Sequence, residues 1–283
     1  MTKDVFRSVY EDVPRAFTYH DLGNEVGLFR LPSFSACPGI DHGFTAKTGG
    51  VSTGPFASLN LSFTRPEQRE HVMENYRIFA KAANIPWKSM VMDSYEHGTT
   101  VLQVDRLDCG SGYLKDPLPA CDGLVTNDPA VTLITGHADC MAFFFFDPKR
   151  RAIGLCHAGW RGALARIGSE VVRMMSDCYG CDPADILAGV GPSICPRCFE
   201  VGNDVADMFE SAFPNCPLRG VNAKGKATVD LWQVALSQFT ESGILPEHVE
   251  LMGVCTMEDN RLYSYRRDGR TGGMAAYLRL LEV

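Results

Sequence analysis

The sequence predicts an α/β fold, with mixed sheets and helices packed on their faces, in a single domain over residues 1–283. Apolar strand-like runs alternate with amphipathic helical patterns along the chain. The 283 residues are 45% hydrophobic and 22% charged, which is ordinary for a globular chain that buries a sizeable core. No internal repeat, low-complexity tract or linker divides the sequence.

The first half of the chain predicts two short strands, a long loop and a helix. The strands cover residues 27–31 and 40–44, and a Gly/Ser/Thr-rich loop runs from Thr48 to Asn60. A loop of this length in a compact domain is usually functional. Apolar residues at helical spacing predict a helix over 66–84, and residues 90–104 look extended around His97.

The second half has the clearest alternation. In order, it predicts strands at 131–135, 141–146 and 152–156, a helix at 161–178, a strand at 186–190, helices at 202–213 and 230–242, and strands at 249–255 and 263–267 before an apolar tail. The run Met141–Phe146 is far shorter than the roughly 18 apolar residues of a membrane helix. It predicts a buried strand.

Charge and cysteine content restrict the class of protein. The net charge of −7 argues against general nucleic-acid binding, which usually needs a basic face. The N-terminal residues MTKDVFRSVYEDVPRAF lack the apolar run of a secretory signal. The eleven cysteines are then expected to be reduced thiols in the cytoplasm, some of them metal-bound. We expect no membrane association, and the sequence predicts no oligomeric state.

The segment from His137 to Gly162 carries the strongest chemical signal. If its two strands form a hairpin that turns at Pro148-Lys149, residues whose numbers sum to 297 face one another, and Cys140 lies opposite His157. Cross-strand Cβ atoms lie about 4.5–5.5 Å apart, so both side chains can reach one metal ion. A bulge would shift this pairing.

A catalytic zinc site uses three Cys, His or carboxylate ligands and leaves a fourth position open. His137 lies three residues before Cys140, and on an extended chain that odd offset points it to the opposite face. His97 is therefore the better third ligand. Taken singly, a buried Cys or His is more often a packed or hydrogen-bonded residue than a ligand.

The residues after His157 begin a predicted helix. Its free N–H groups and positive dipole end attract anions, and Arg161 adds a forked donor for phosphate or carboxylate. Trp160 could stack on a base or pack in the core. Gly159 could serve the anion site or only a tight strand-to-helix turn.

Six motifs resemble, in the same order, the motifs of the laccase-domain family. They are HGFTAKTGGVSTGPFASLNLS, EHGTTV, HADC, HAGWRG, GPSICPRCFEVG and YSYRRDGRTGG. The resemblance covers about His42 to Gly273. Members of this α/β family were labelled multicopper polyphenol oxidases and later described as purine nucleoside phosphorylases. The resemblance implies zinc held by His97, Cys140 and His157. It also implies phosphorolysis of adenosine, inosine and methylthioadenosine, with adenosine deamination as a further activity.

The chain departs from the family pattern at three places. Lys47 stands where the family usually has Arg, which keeps the charge but loses the bidentate fork. Tyr95-Glu96 replaces Gln-Val before the histidine, and Glu96 could carry a proton or face solvent. Gly272-Gly273 replaces Gly-Arg.

Two reactions suit one open zinc site. Deamination needs a carboxylate to move a proton, and Asp139 is the first candidate, although it could equally hold a turn beside the metal. Phosphorolysis needs donors for phosphate, for which Arg161, Lys47 and the helix start are candidates. The predicted partners are therefore small purine nucleosides and phosphate.

Three alternatives remain open from the sequence. A four-copper polyphenol oxidase needs many paired histidines, whereas this chain has seven and no His-X-His pair, although Cu²⁺ could occupy the zinc site. A metal-free cysteine hydrolase would use Cys140 as nucleophile and His157 as base. A non-enzymatic zinc module would use Cys178-x2-Cys181 with Cys195-x2-Cys198.

Overall fold

The computed structural model describes residue 13, residues 15–23 and residues 25–282. The strands are β1 Thr18–Asp21, β2 Gly27–Arg30, β3 Ile40–Thr45, β4 Met90–Met92, β5 Val101–Gln103, β6 Gly123–Thr126, β7 Thr132–His137, β8 Met141–Asp147, β9 Ala152–Ala158, β10 Leu187–Val190, β11 Arg219–Val221, β12 Ala227–Val229, β13 Val249–Leu251 and β14 Met274–Leu280. The helices are α1 Pro32–Ser35, α2 Arg69–Ala82, α3 Trp160–Leu164, α4 Ile167–Tyr179, α5 Asn203–Ala212, α6 Leu231–Glu241 and α7 Tyr265–Asp268.

The strands form two mixed six-stranded sheets. The first has the order β1-β2-β3-β14-β7-β4, the second has the order β13-β10-β8-β9-β6-β5, and β11 and β12 form a separate ribbon. The β4–β7, β10–β13 and β5–β6 pairs are parallel, and the other pairs are antiparallel. The predicted α/β class with mixed sheets is confirmed.

The four consecutive phenylalanines of β8 show how the layers pack. Phe144 and Phe146 belong to the core between the two sheets, where they join Phe44 and Leu278 of the first sheet. Phe143 and Phe145 face the opposite way, into a core with helices α4 and α6. Helix α2 covers the outer face of the first sheet. The run is apolar throughout because the strand is covered on both faces.

The hairpin between β8 and β9 has a different register from the predicted one. Asp147 pairs with Ala152, and His157 therefore lies opposite Ala142 rather than Cys140. The connecting turn has four residues, because the Asp147 carboxylate accepts the N–H groups of Lys149 (2.8 Å) and Arg150 (2.9 Å). The shift is two residues, so Cys140 stays on the same side of the sheet as His157.

The helix predicted over 161–178 is two helices, α3 and α4. Arg166 has a left-handed backbone (φ 67°) and separates them. The helix that starts next to His157 is therefore only five residues long. The anion site predicted at the start of this helix stays a prediction.

One prediction near the C-terminus is also wrong, and one segment had no assigned structure. The segment predicted as a strand at 263–267 contains helix α7, whose first turn is capped because the Ser264 hydroxyl accepts the Arg267 N–H at 3.1 Å. The apolar tail forms strand β14, which lies inside the first sheet between β3 and β7. Strands β1, β6, β11 and β12 were not predicted.

Among the described residues, no helix combines the length and the apolar composition required to cross a membrane. Most of the N-terminal residues MTKDVFRSVYEDVPRAF, on which the expectation of no secretory signal rests, lie outside the described residues. The assignment of one domain to residues 1–283 stays a prediction.

Candidate metal centre

The three predicted zinc ligands converge. His97 lies in the loop between β4 and β5, Cys140 lies at the bend before β8, and His157 lies on β9. One ligand atom from each side chain falls within 4.8 Å of the other two. Because Zn–N and Zn–S bonds are about 2.0–2.3 Å long, one ion can reach all three atoms with small side-chain movements.

The cluster lies between the two sheets. His157 is buried on the inner face of the second sheet, and the ring of His137, from the first sheet, has its centroid 5.5 Å away. The rings of Tyr95 and His97 also surround His157, at 4.6 and 5.0 Å. His157 is therefore shielded from water and tightly constrained by its neighbours.

Asp122, which the sequence analysis missed, organises this cluster. Its carboxylate is fully buried. Oδ1 accepts the His157 Nδ1–H and the His97 backbone N–H, both at 3.0 Å. Oδ2 accepts the N–H groups of Gly98 (2.8 Å) and Glu96 (3.2 Å). Asp122 thus holds the His97 loop and engages Nδ1 of His157, so Nε2 is the ring nitrogen that can bind a metal once it has lost its proton.

Cys140 and His157 shift each other's pKa in opposite directions. Burial raises the pKa of Cys140, but protonated His157 and hydrogen bonds from His157 and His97 outweigh it and lower that pKa to about 6. Burial lowers the pKa of His157, but Cys140 and Asp122 outweigh it and raise that pKa to about 10. The sulfur is therefore held as a thiolate, the form that binds metals.

His137 lies next to His157, although the strand alternation predicted that it faces away. The prediction assumed an extended chain, whereas Asp139 turns the backbone with a φ of 84°. The His137 Nδ1–H donates to the Cys140 carbonyl (3.2 Å), and its Nε2 pairs with the Thr135 hydroxyl (2.8 Å). Both ring nitrogens are therefore engaged without a metal.

Asp139 is buried behind Cys140. One carboxylate oxygen accepts the Thr256 hydroxyl and the other accepts the Arg266 backbone N–H, both at 2.6 Å. These contacts are those of a residue that holds the turn which positions Cys140. The role of Asp139 as a proton carrier stays a prediction.

The remaining residues singled out from the sequence are Arg161, Lys47 and Glu96. Arg161 is exposed, and its guanidinium lies over the Trp160 ring at 4.3 Å. The Lys47 carbonyl accepts the N–H groups of Ser58 and Leu59, which closes the glycine-rich loop. Glu96 is exposed. The roles of Lys47 and Arg161 as phosphate ligands stay predictions.

Two glycines let helix α3 approach the His97 loop. A Cβ atom at Gly159 would lie 2.7 Å from Cδ2 of His97, and one at Gly162 would lie 2.7 Å from the Gly98 carbonyl oxygen. Real Cβ atoms do not approach other atoms so closely. The small residues of the HAGWRG motif are therefore required by the position of His97.

We expect Gly159→Ala to weaken zinc binding about tenfold, because the new methyl group displaces the imidazole of His97. Competition with a chromophoric chelator measures the zinc affinity. Gly39→Ala is the matched control, since its Cβ would meet the end of the Arg151 side chain at 3.3 Å and Cζ of Phe146 at an ordinary contact distance of 3.9 Å. An unchanged zinc affinity in Gly159→Ala would contradict the proposed role of His97.

A cavity of about 480 Å³ is lined in part by Tyr95, whose ring packs against that of His157. Phe63, Tyr95 and Asp93 line this cavity. Within the described part of the chain, Oδ2 of Asp93 is buried without a hydrogen-bond partner, and burial raises the pKa of Asp93 to about 8. A single Asp in an extended segment gives no sequence signal for such a position.

The two CxxC pairs do not form the zinc module considered from the sequence. In the described residues, the second group of potential metal ligands combines Cys195 and Cys198 with Cys255 and Glu258. Cys178 and Cys181 lie elsewhere, at the end of helix α4 and just beyond it.

Comparison with known proteins agrees with the fold. Residues 41–281 match the family described as multi-copper polyphenol oxidoreductase laccase. The chain is 35% identical over 246 residues to "Purine nucleoside phosphorylase YlmD" of Bacillus subtilis, covering 85% of this chain and 88% of that protein. It is 34% identical over 254 residues to "Purine nucleoside phosphorylase" of Deinococcus radiodurans, covering 89% and 92%. The crystal structure of YlmD from Geobacillus stearothermophilus superposes with a TM-score of 0.87 at 31% identity, covering 95% of this chain and all of that one.

Proposed function

The chain belongs to the multi-copper polyphenol oxidoreductase laccase family, and from this premise we propose that it is a zinc-dependent purine nucleoside phosphorylase. The observation that carries the proposal is the convergence of His97, Cys140 and His157 within 4.8 Å. Relatives that cover most of the chain bear the name purine nucleoside phosphorylase.

The donor set suits zinc. Two imidazole nitrogens and one thiolate are ligands that zinc prefers, and three protein ligands leave a fourth position for water or substrate. Bound there, zinc would supply a Lewis acid that polarises a substrate oxygen or acidifies a water molecule. Asp122 keeps His157 in the tautomer that can ligate, and Asp139 holds the turn before Cys140.

We place the purine nucleoside in the cavity beside Tyr95. Its volume of about 480 Å³ lies within the range of small-molecule sites. Phe63 and Tyr95 offer aromatic surfaces for the purine, and the free oxygen of Asp93 offers a polar contact to the ring or the ribose. Lys47 and Arg161 remain the proposed phosphate ligands. The substrates proposed are adenosine, inosine and methylthioadenosine.

Product analysis tests the reaction. Purified protein is incubated with adenosine, with and without phosphate, after metal removal and after zinc restoration. We expect free adenine and ribose-1-phosphate only when both phosphate and zinc are present. Inosine without phosphate would instead show deamination, for which Asp139 is the proposed proton carrier. Neither product under any metal condition would contradict the enzymatic proposal.

One observation favours a second candidate function. The thiolate of Cys140 beside protonated His157 is also the arrangement of a cysteine nucleophile and its base. A metal-free hydrolase would keep its activity after complete metal removal and lose it on thiol alkylation. The phosphorylase proposal expects chelation to abolish activity and zinc to restore it. Parallel assays with Cu²⁺ and a phenolic substrate test the polyphenol oxidase alternative.

A further inference from the structure

Three thiols and one carboxylate converge at a second place in the molecule. Ligand atoms of Cys195, Cys198, Cys255 and Glu258 all lie within 4.8 Å of one another. Two sulfur atoms bound to one tetrahedral zinc, each at about 2.3 Å, lie about 3.8 Å apart. The group is therefore close to the size of a four-coordinate site, and none of its members belongs to the catalytic cluster.

The four side chains come in two pairs of equal spacing on two tight turns. Cys195-x2-Cys198 follows β10, where the Cys195 carbonyl accepts the N–H groups of Cys198 and Phe199, both at 3.0 Å. Cys255-x2-Glu258 follows β13, where the Cys255 carbonyl accepts the Asp259 N–H at 2.9 Å. Strands β10 and β13 are parallel neighbours, so both turns leave the sheet at the same edge. Two pairs with an x2 spacing are typical of structural zinc sites.

The surroundings also suit a metal. The Cys195 backbone N–H points at the Cys255 sulfur (3.4 Å), a contact that commonly supports a metal thiolate. Arg197 donates to both carboxylate oxygens of Glu258, at 3.1 and 3.2 Å, and its positive charge offsets the negative charge of the ligands. A cavity of about 270 Å³ lined by Cys195, Cys255 and Glu258 provides a path for an ion.

We propose that these four residues bind a second zinc ion in a closed structural site. Three thiolates and a carboxylate complete a tetrahedral shell, so no position is left for water or substrate. The ion would join two turns that the sequence separates by about sixty residues. This inference does not depend on the proposed reaction.

The closed site would also support the catalytic cluster. Ile194, beside Cys195, donates its N–H to the Asp139 carbonyl at 2.9 Å. Thr256, beside Cys255, donates its hydroxyl to the Asp139 carboxylate. The first turn thus holds the backbone carbonyl of Asp139, and the second holds its carboxylate. Clamping the two turns together fixes the position of that ligand.

Metal stoichiometry tests the proposal. The full chain is purified under reducing conditions, supplied with zinc, dialysed against metal-free buffer and measured by elemental analysis. We expect two zinc ions per chain in the wild type, and one in each of two double variants, His97→Ala/His157→Ala and Cys195→Ser/Cys198→Ser. The double variant Cys178→Ser/Cys181→Ser has the same x2 spacing outside the cluster and should keep both ions.

Cobalt gives a second measurement that does not require the cysteine variant to fold. In His97→Ala/His157→Ala, the remaining site should bind one Co²⁺ with the strong near-ultraviolet absorption of several cobalt–thiolate bonds. Zinc should also raise the thermal midpoint of that variant. One zinc ion in the wild type and none in His97→Ala/His157→Ala would overturn the proposal. So would an intact mass showing that two of the three clustered cysteines form a disulfide.

Discussion

Replacing Cys140 with serine is expected to lower kcat/KM for phosphorolysis at least about 10³-fold, a loss of about 4 kcal/mol of transition-state stabilisation. The thiolate is the one anionic ligand of the cluster, and its pKa of about 6 keeps it charged at neutral pH. A serine hydroxyl remains protonated there and is a weak zinc ligand. Steady-state kinetics and zinc analysis of the same sample measure both effects.

The control for this variant is Cys37→Ser. Cys37 is half-buried, and its thiol donates only to the Ser33 carbonyl, far from the cluster in the chain. We expect its zinc content and activity to match the wild type. If Cys140→Ser kept full zinc occupancy of the catalytic site but lost its activity, Cys140 would be acting as a nucleophile, contrary to our proposal.

Asp122→Asn is expected to have the second-largest effect. All four groups around the carboxylate are N–H donors, so the amide NH₂ of asparagine must face one pair of them. If it faces His157, the imidazole must carry its proton on Nε2 and can no longer ligate. If it faces Glu96 and Gly98, repulsion between N–H groups displaces the loop that carries His97. Either orientation removes a metal ligand.

We expect Asp122→Asn to weaken zinc binding by about 10–100-fold and to destabilise the fold by about 1–3 kcal/mol. Competition with a chelator gives the first value, and urea unfolding gives the second. Asp128→Asn is the matched control, because Asp128 also accepts backbone N–H groups but pairs with exposed Arg106 at the surface. A wild-type zinc affinity in Asp122→Asn would show that Asp122 does not orient His157.

Local patterns predicted much of the fold. The short apolar runs of β8 and β9, and the helical spacing around Val72 and Phe79, predicted elements close to the observed ones. Each pattern indicates which face of an element is buried, and the pattern can be read from a short stretch of neighbouring residues. The hairpin register was missed because one side chain, Asp147, stabilises a four-residue turn. Strand β14 was given only as an apolar tail, because a continuous apolar run does not by itself show whether it forms a strand or where that strand pairs.

The sequence by itself determined the α/β class and the identity of the three candidate ligands, which the motifs around His97, Cys140 and His157 mark. Only the tertiary structure decided that Asp122 joins His97 to His157, that Asp93 faces a cavity, and that Cys195 meets Cys255 rather than Cys178. The physical reason is that these contacts join residues far apart in the chain. Their proximity depends on the order of strands in the sheets and the path of each turn, which no local periodicity encodes.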